Sequence, residues 1–368
     1  MTPIFAIFSI FLVVQLVYWV FLDDGFRTAC NRSGDRQPAA TTRISVVVAA
    51  RNEVSNMDAL LSALETQDHP EFEVVVVDDG STDGTADVVR NRASGDRRVR
   101  LVSVDPVEPR KKHAVAAGIE AARFDLIALT DADCRPPNGW LAEITRHYGA
   151  ETRSRIVIGY GPYDRRPTLL NRVARYENLV TSFLTAAACG LDRPYMAVGR
   201  NISYPRSLFE RVGGLEGTMM SLSGDDDLFI QQAVRLGDVD VIHMLTPGSA
   251  VPSPAPRSWG SWLRQKQRHA SAGRYYRVSV SLHLSVFHLS GIGLWIAPFY
   301  LGWVGVALLA LRMAAQHIVL RRAATVFHER DLLPLQPLWE LTYALYNLLV
   351  APVGLLFKPR EWRTGGER

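Results

Sequence analysis

Between residues 43 and 133 the chain alternates continuous apolar runs with stretches of helical spacing. "RISVVVAARNE" (43–53) opens on an unbroken β-branched run, and "MDALLSALETQ" then repeats its apolar positions at three and four residues. "FEVVVVDDGSTDGTADVVRNRA" holds a second run, a Gly/Asp/Ser turn and a second helical stretch. "VRLVSVD", "KKHAVAAGIEAA" and "FDLIALTDAD" add a strand, a helix and another strand. Strands that are apolar at every position, and separated by helices, predict a mostly parallel sheet covered on both faces.

A different pattern flanks this region. Residues 3–22, "PIFAIFSIFLVVQLVYWVFL", carry no charge, and twenty residues of helix rise about 30 Å, the thickness of a bilayer core. The segment lacks a basic leader and a small-residue cleavage site, so the expectation is a retained transmembrane anchor over residues 1–22. "LSVFHLSGIGLWIAPFYLGWVGVALLAL" (284–311) has no Asp, Glu, Lys or Arg and reads either as one long span or as a hairpin broken near Pro298. "LLPLQPLWELTYALYNLLVAPVGLLF" (332–357) has one charge, Glu340. The basic "RMAAQHIVLRRAATVFHER" between them is partly amphipathic and predicts a helix lying on the membrane surface. "PGSAVPSPAP" (247–256) is a breaker-rich loop. The expected organisation is an anchor, an α/β domain at 43–256, an interfacial segment at 257–280, a membrane region of two or three helices at 281–357 and a basic tail at 358–368. Arg27, Arg32 and Arg36 after the first span favour a cytoplasmic domain, although the later segments are basic as well.

Composition removes some function classes. A net charge of +4 over 368 residues, with no basic stripe and no interleaved aromatics, gives no basis for nucleic-acid binding. The three cysteines lie far apart, in neither a metal-ligand nor a disulfide spacing, which fits a reducing compartment.

Ligands of parallel sheets bind beyond the carboxyl ends of the strands. Three polar clusters fall there: Arg51–Glu53, Asp78–Asp83 and Asp131–Asp133. Asp131 and Asp133 share a face if the strand continues, and two adjacent carboxylates suit a hard divalent cation; a plain turn is the alternative, since Pro136, Pro137 and Gly139 follow. "VVVVDDGSTDGT" contains neither a dinucleotide fingerprint nor a P-loop. Ser81 and Asp83 are expected to form turn and helix caps, and Asp79 to meet a ligand. "SGDDDLF" supplies three adjacent carboxylates, Asp225, Asp226 and Asp227, whose repulsion raises at least one pKa as a general base requires; the dipole of a helix N-terminus accounts for one of them. In "QKQRH", Gln265 and Arg268 share a helix face, with His269 following. Glu177 lines either an acceptor groove or a solvated helix face, and Tyr204 and Phe209 read as core.

The series "VVVAARNE", "VVVVDDGSTDGT", "RKKHAVAAGI", "LTDADC", "GRNISYPRSLFERVGGL", "SGDDDLFIQQAVRLG" and "WLRQKQRHASAG" resembles the family-2 glycosyltransferases of GT-A fold over residues 43–273. The flanks resemble their membrane-bound branch, which includes hyaluronan, cellulose and poly-N-acetylglucosamine synthases and ceramide glucosyltransferase-like enzymes. The resemblance implies a Rossmann-like α/β sheet plus flanking transmembrane helices. It implies an inverting hexosyltransferase of polysaccharide or glycolipid biosynthesis, multi-pass in the cell membrane with a cytoplasmic catalytic domain. The donor would be a UDP-sugar and the acceptor a membrane lipid or lipid-linked glycan. Ala49, Arg51, Glu53, Asp79, Lys111, Asp131 and Asn201 would bind the nucleotide sugar. Asp131 and Asp133 would hold Mg²⁺ or Mn²⁺. Asp226, or Asp225 one residue away, would be the base, and Gln265, Arg268 and His269 would meet the diphosphate or acceptor. His269 stands where the family's Gln-x-x-Arg-Trp motif has Trp, which favours transfer of one sugar over the alternative of a processive synthase. A non-catalytic nucleotide-sugar or lipid-binding membrane protein is the alternative of another class.

Overall fold

The structure is a computed structural model that describes residues 2–34, 42–105, 111–149, 154–219, 221 and 223–356. Its centre is a seven-stranded sheet. β1 (Ile44–Ala50), β2 (Phe72–Asp78), β3 (Val99–Ser103), β4 (Leu126–Asp131), β5 (Ser154–Gly159), β6 (Ile202–Pro205) and β7 (Val239–Met244) lie in the order β3-β2-β1-β4-β6-β5-β7. Every pairing is parallel except those of β6, which runs against β4 and β5. The register pairs Ala50 with Asp78 and Ala49 with Asp131, so the polar ends of β1, β2 and β4 stop at one level.

The unbroken apolar runs have the expected cause. Val46, Val48, Val74 and Val76 pack against α2 (Val54–Glu65) and α5 (Trp140–Thr145) on one face. Val47, Val75, Val77 and Ile127 pack against α4 (Lys111–Ala121) on the other, together with residues near α7 (Arg206–Val212) and α8 (Asp227–Ala233). Gly118 lets α4 approach closely, because a β-carbon there would collide with Val47 and Val77. α3 (Thr85–Gly95) completes the sheet's edge beside β3.

A third apolar cluster joins this domain to long helices. α1 (Thr2–Gly34) lies along α6 (Leu169–Gly190), with Trp19 stacked on Phe183 and Phe26 packed nearby. At the crossing, a β-carbon on Gly190 would run into the backbone carbonyl of Gly25. α9 (Trp259–Ala272) leads into α10 (Val278–Leu301), α11 (Trp303–Val326), α12 (Gln336–Leu349) and α13 (Ala351–Leu356). Four helical stretches, Pro3–Gly34, Val278–Leu301, Trp303–Val326 and Arg330–Leu356, are long and apolar enough to cross a membrane.

The structure extends, resolves and corrects the expectation for the flanks in three places. The first helix runs on past residue 22, because Asp23 pairs with Arg322 and Arg27, and Ser33 Oγ accepts from Leu245 N at 2.7 Å. The break in the 284–311 stretch falls at Gly302, in the left-handed region at φ 55°, while Pro298 stays inside α10. The basic segment expected on the membrane surface is the body of α11, and Arg312 is only 3% exposed. Its guanidinium pairs with Glu340 Oε1 at 2.6 Å, and Gln316 and the Tyr176 hydroxyl donate to Glu340 Oε2 at 2.7 and 2.8 Å. Charges among apolar helices persist when paired in this way. The basic tail 358–368 lies outside the described residues.

Arg312→Leu leaves Glu340 buried without its cation and is expected to cost about 3–5 kcal/mol. Adding Glu340→Gln should restore part of the loss, read as the thermal unfolding midpoint in detergent.

Candidate active site

At the carboxyl ends of β1, β2 and β4 a cleft of about 1250 Å³ opens, walled on the far side by α6, α8, α9 and the helices α10 and α12. Local turn chemistry shapes its floor. Asn52 adopts φ 53°, and its side-chain oxygen accepts from Thr82 N at 2.9 Å. Asp83 accepts from Val54 N at 3.1 Å and Thr85 N at 3.0 Å, and Ser81 Oγ accepts from Asn52 N at 3.0 Å. Ser81 and Asp83 therefore tie the two loops together, as the turn reading expected. Glu53 and Asp79 are left buried along the cleft wall beside Ala49. Burial raises the pKa of Asp79, as does Asp78, and Arg51 at 4.0 Å opposes the shift.

Asp131 ends β4, and both it and Asp133 line the cleft. Lys111 forms an ion pair with Asp131. Burial alone would lower the Lys111 pKa, but the carboxylates of Asp131, Asp225 and Asp226 outweigh it and raise it, which keeps the ammonium charged. The adjacent Lys112 points the other way. It donates to the carbonyls of Ser221 at 2.8 Å and Ser223 at 3.3 Å, and so fastens the loop that carries the acidic triplet.

Among the described residues, no three His, Cys, Asp or Glu side chains converge to form a closed metal site. Mg²⁺ is typically held by one or two carboxylates plus substrate phosphates and water. Asp131 and Asp133, open to the cleft, fit that donor set.

The three acids of 225–227 have separate environments. Asp226 caps α8: Oδ2 accepts from Gly199 N at 2.7 Å and Oδ1 from Asp227 N at 2.9 Å. Burial, and then the charge of Asp225, push its pKa up to about 6. Asp227 accepts from Ala197 N at 3.0 Å and from the Tyr276 hydroxyl at 2.5 Å, which makes it the structural member. Asp225 also lines the cleft, and no hydrogen bond reaches its carboxylate from the described residues.

α9 begins with a capping box between Ser258 and Ser261, and its cleft face presents Gln265, Arg268 and His269. Lys266 on the same helix is buried in an ion pair with Glu177 of α6. Glu177 is thus on the cleft wall and not on a solvated face.

Asn201 is the exception among the expected ligands. It is 0% exposed and does not line the cleft. Its oxygen accepts from Trp140 Nε1 at 2.9 Å, and its nitrogen donates to the carbonyls of Tyr160 and Ser249 at 2.9 and 2.8 Å. Its amide is spent on the core behind the site, where Gly159 leaves it room. Arg200, which the sequence reading did not single out, takes the cleft-facing place. Its guanidinium lies over Gly161, donates to that residue's carbonyl and sits 5.3 Å from the Tyr163 ring. The Gly-Tyr-Gly at 159–161 was the available signal: each glycine clears space for one side chain of the 200–201 pair.

This arrangement agrees with the comparisons to known proteins. Residues 45–213 match the family described as Glycosyl transferase family 2. Over those residues the chain is similar to the family-2 glycosyltransferase domain, and its sheet has the GT-A fold. It is 23% identical over 239 residues to "Probable glycosyltransferase YdaM" of Bacillus subtilis, covering 63% of this chain and 56% of that protein. It is 28% identical to the validoxylamine A glucosyltransferase of Streptomyces hygroscopicus subsp. jinggangensis over 51% of each chain. The chain thus spans about half the length of these curated relatives. A solved mannosyltransferase of Pyrobaculum calidifontis, in complex with GDP-Man and Mn²⁺, shares the fold across 96% of this chain and 98% of its own, with a TM-score of 0.59 and 22% identity.

Asn201→Ala strands a buried indole N–H and two buried carbonyls. It is expected to cost about 2 kcal/mol or more in thermal stability, while the nucleotide Kd of the folded protein stays within about twofold.

Proposed function

We propose that this protein is an inverting, metal-dependent glycosyltransferase that moves a sugar from a UDP-sugar to a hydroxyl of a membrane lipid or lipid-linked glycan at the cytoplasmic membrane face. One observation carries the reading. A single cleft gathers the acids at the sheet end, a second acidic pair just before α8 (Asp225 and Asp226) and the face of α9 that presents Arg268, directly beside apolar helices. Glu53 and Asp79 would accept hydrogen bonds from the base and ribose, between Ala49 and Arg51. Lys111 and Arg268 would face the diphosphate, with Arg200 as a third cation. The mannosyltransferase neighbour, solved with GDP-Man and Mn²⁺, supports a nucleotide-sugar donor and a divalent ion.

Asp131 and Asp133 would hold Mg²⁺ or Mn²⁺, and the bound ion would stabilise the charge that grows on the leaving diphosphate. The chain's own residues do the remainder. The acceptor hydroxyl oxygen bonds to the anomeric carbon from the face opposite the diphosphate. The carbon–oxygen bond to the diphosphate breaks, its electron pair leaves with UDP, and the hydroxyl proton passes to a carboxylate. Asp225 is our choice for that carboxylate, because its oxygens are free of hydrogen bonds from the described residues. Asp226 is tied to two backbone amides, which leaves its oxygens less available to an acceptor. Gln265 and His269 would orient the acceptor, and the absence of Trp at 269 supports a single transfer.

The test is UDP release and product formation by detergent-purified protein across a panel of UDP-sugars, with a membrane-lipid extract and with Mn²⁺, Mg²⁺ or EDTA. Release from one donor that depends on lipid and is abolished by EDTA is the expected result. Asp225→Asn should lower kcat by about 10²–10⁴-fold, and Asp226→Asn by less. If Asp226→Asn is the more damaging, the base is Asp226. Nucleotide binding without turnover under any condition would favour a non-catalytic protein, and a ladder of products would favour a processive synthase.

Asp226 supports the transfer as a carboxylate beside the base. With its pKa raised to about 6 by burial and by the charge of Asp225, kcat/KM should fall as pH drops through about 6 and level off above it. A flat profile between pH 5 and 7 would remove the charge of Asp226 from the reaction.

A further inference from the structure

The cleft is divided electrically. Its sheet side carries Arg51, Lys111 and Arg200 among the catalytic acids, and α9 adds Arg268. Its helix side is built from α6, α10 and α12, and there Glu177 is the only lining Asp, Glu, Lys or Arg among the described residues. Glu177 is already neutralised by Lys266 of α9; their side chains are 9% and 7% exposed.

The same side carries aromatic rings in sequence. Trp262 of α9 lies 5.6 Å from Tyr346, Tyr346 lies 6.3 Å from Tyr343, and Tyr343 lies 5.9 Å from His288 of α10, between ring centroids. The last three line the cleft. The row runs from α9 at the catalytic acids to α10 and the Arg330–Leu356 stretch that contains α12, both long and apolar enough to cross a membrane. Tyr and Trp place an apolar face and a polar tip at such a boundary. A neutralised carboxylate–ammonium pair beside flat rings suits a headgroup that offers hydroxyls and C–H faces. It offers no uncompensated cation for a headgroup that brings its own phosphate charge, and burying such a charge unpaired is costly.

We infer that the acceptor is an uncharged, hydroxyl-headed lipid, a glycerol or sugar lipid, seated between α6, α10 and α12 along Tyr343 and Tyr346, with its reacting hydroxyl brought past the Glu177–Lys266 pair to Asp225. This rests on the transferase reading above and narrows its acceptor. The reaction keeps the same balance: the lipid hydroxyl oxygen gains the anomeric carbon, UDP leaves with the bond pair, and the carboxylate takes the proton. A lipid phosphate is excluded as the preferred acceptor.

The experiment uses the full chain and phosphatidylcholine vesicles doped in turn with diacylglycerol, monoglucosyl diacylglycerol or undecaprenyl phosphate, with UDP binding measured separately by titration. The expected result is transfer to diacylglycerol or its glucoside at a kcat/KM at least tenfold above that for undecaprenyl phosphate. Tyr343→Ala and Glu177→Gln should each raise the KM for that lipid at least tenfold, with the UDP Kd changed far less. The pair Glu177→Lys with Lys266→Glu should recover part of the lipid KM if the ion pair acts as a unit. Equal or better transfer to undecaprenyl phosphate overturns the proposal, as does an unchanged lipid KM in both single variants. Transfer to none of the three with UDP still bound overturns the acceptor assignment and leaves the donor reading standing; loss of both UDP binding and turnover in the wild type overturns both.

Discussion

The site depends on how like charges are held together. Strand ends and a helix start bring Glu53, Asp79, Asp131, Asp133, Asp225 and Asp226 to one cleft, where their repulsion opposes folding. Lys111 carries much of the counter-charge, pressed against Asp131 and close enough to feel Asp225 and Asp226. The backbone amides of Gly199 and Asp227 hold Asp226, and those of Val54 and Thr85 hold Asp83 outside the working set. What remains is a concentration of negative charge that a cation and a diphosphate can complete, in a place that sheet register alone could not make stable.

The apolar helices are part of this construction and not a tether beside it. α1 packs against α6 through Gly25 and Gly190, and α6 carries Glu177 into the cleft to meet Lys266 of α9. The Arg312–Glu340 pair, with Gln316 and Tyr176, ties α11 and α12 back to α6. A helix that shifts within the bundle therefore moves a wall of the site. This is why the chemistry and the helices form one cavity, and why acceptor choice is best sought where they meet.

Much of the site was legible from local pattern. Asp131 and Asp133 stand at a strand end, Gln265 and Arg268 one helical turn apart, and Ser81 and Asp83 in a turn; each relation spans a few residues, within which backbone geometry fixes direction. Where direction depended on a distant partner, the reading failed or stopped. Asn201 and Arg200 are adjacent, and only the glycines at 159 and 161 decide which faces the core and which the cleft. Lys111 and Lys112 are adjacent too, and one neutralises the site while the other holds a loop.

The sequence by itself determined the parallel sheet, the level at which its polar ends stop, the acidic motifs and the apolar helices, because periodicity and composition act over one element at a time. Only the tertiary structure decided that the first helix continues through Asp23 to a partner at Arg322, that Arg312 turns inward to Glu340, and that Glu177 meets Lys266. A charged side chain's place depends on whether a counter-charge waits for it. In this chain those counter-charges lie from 28 to 299 residues away, beyond the reach of any local pattern.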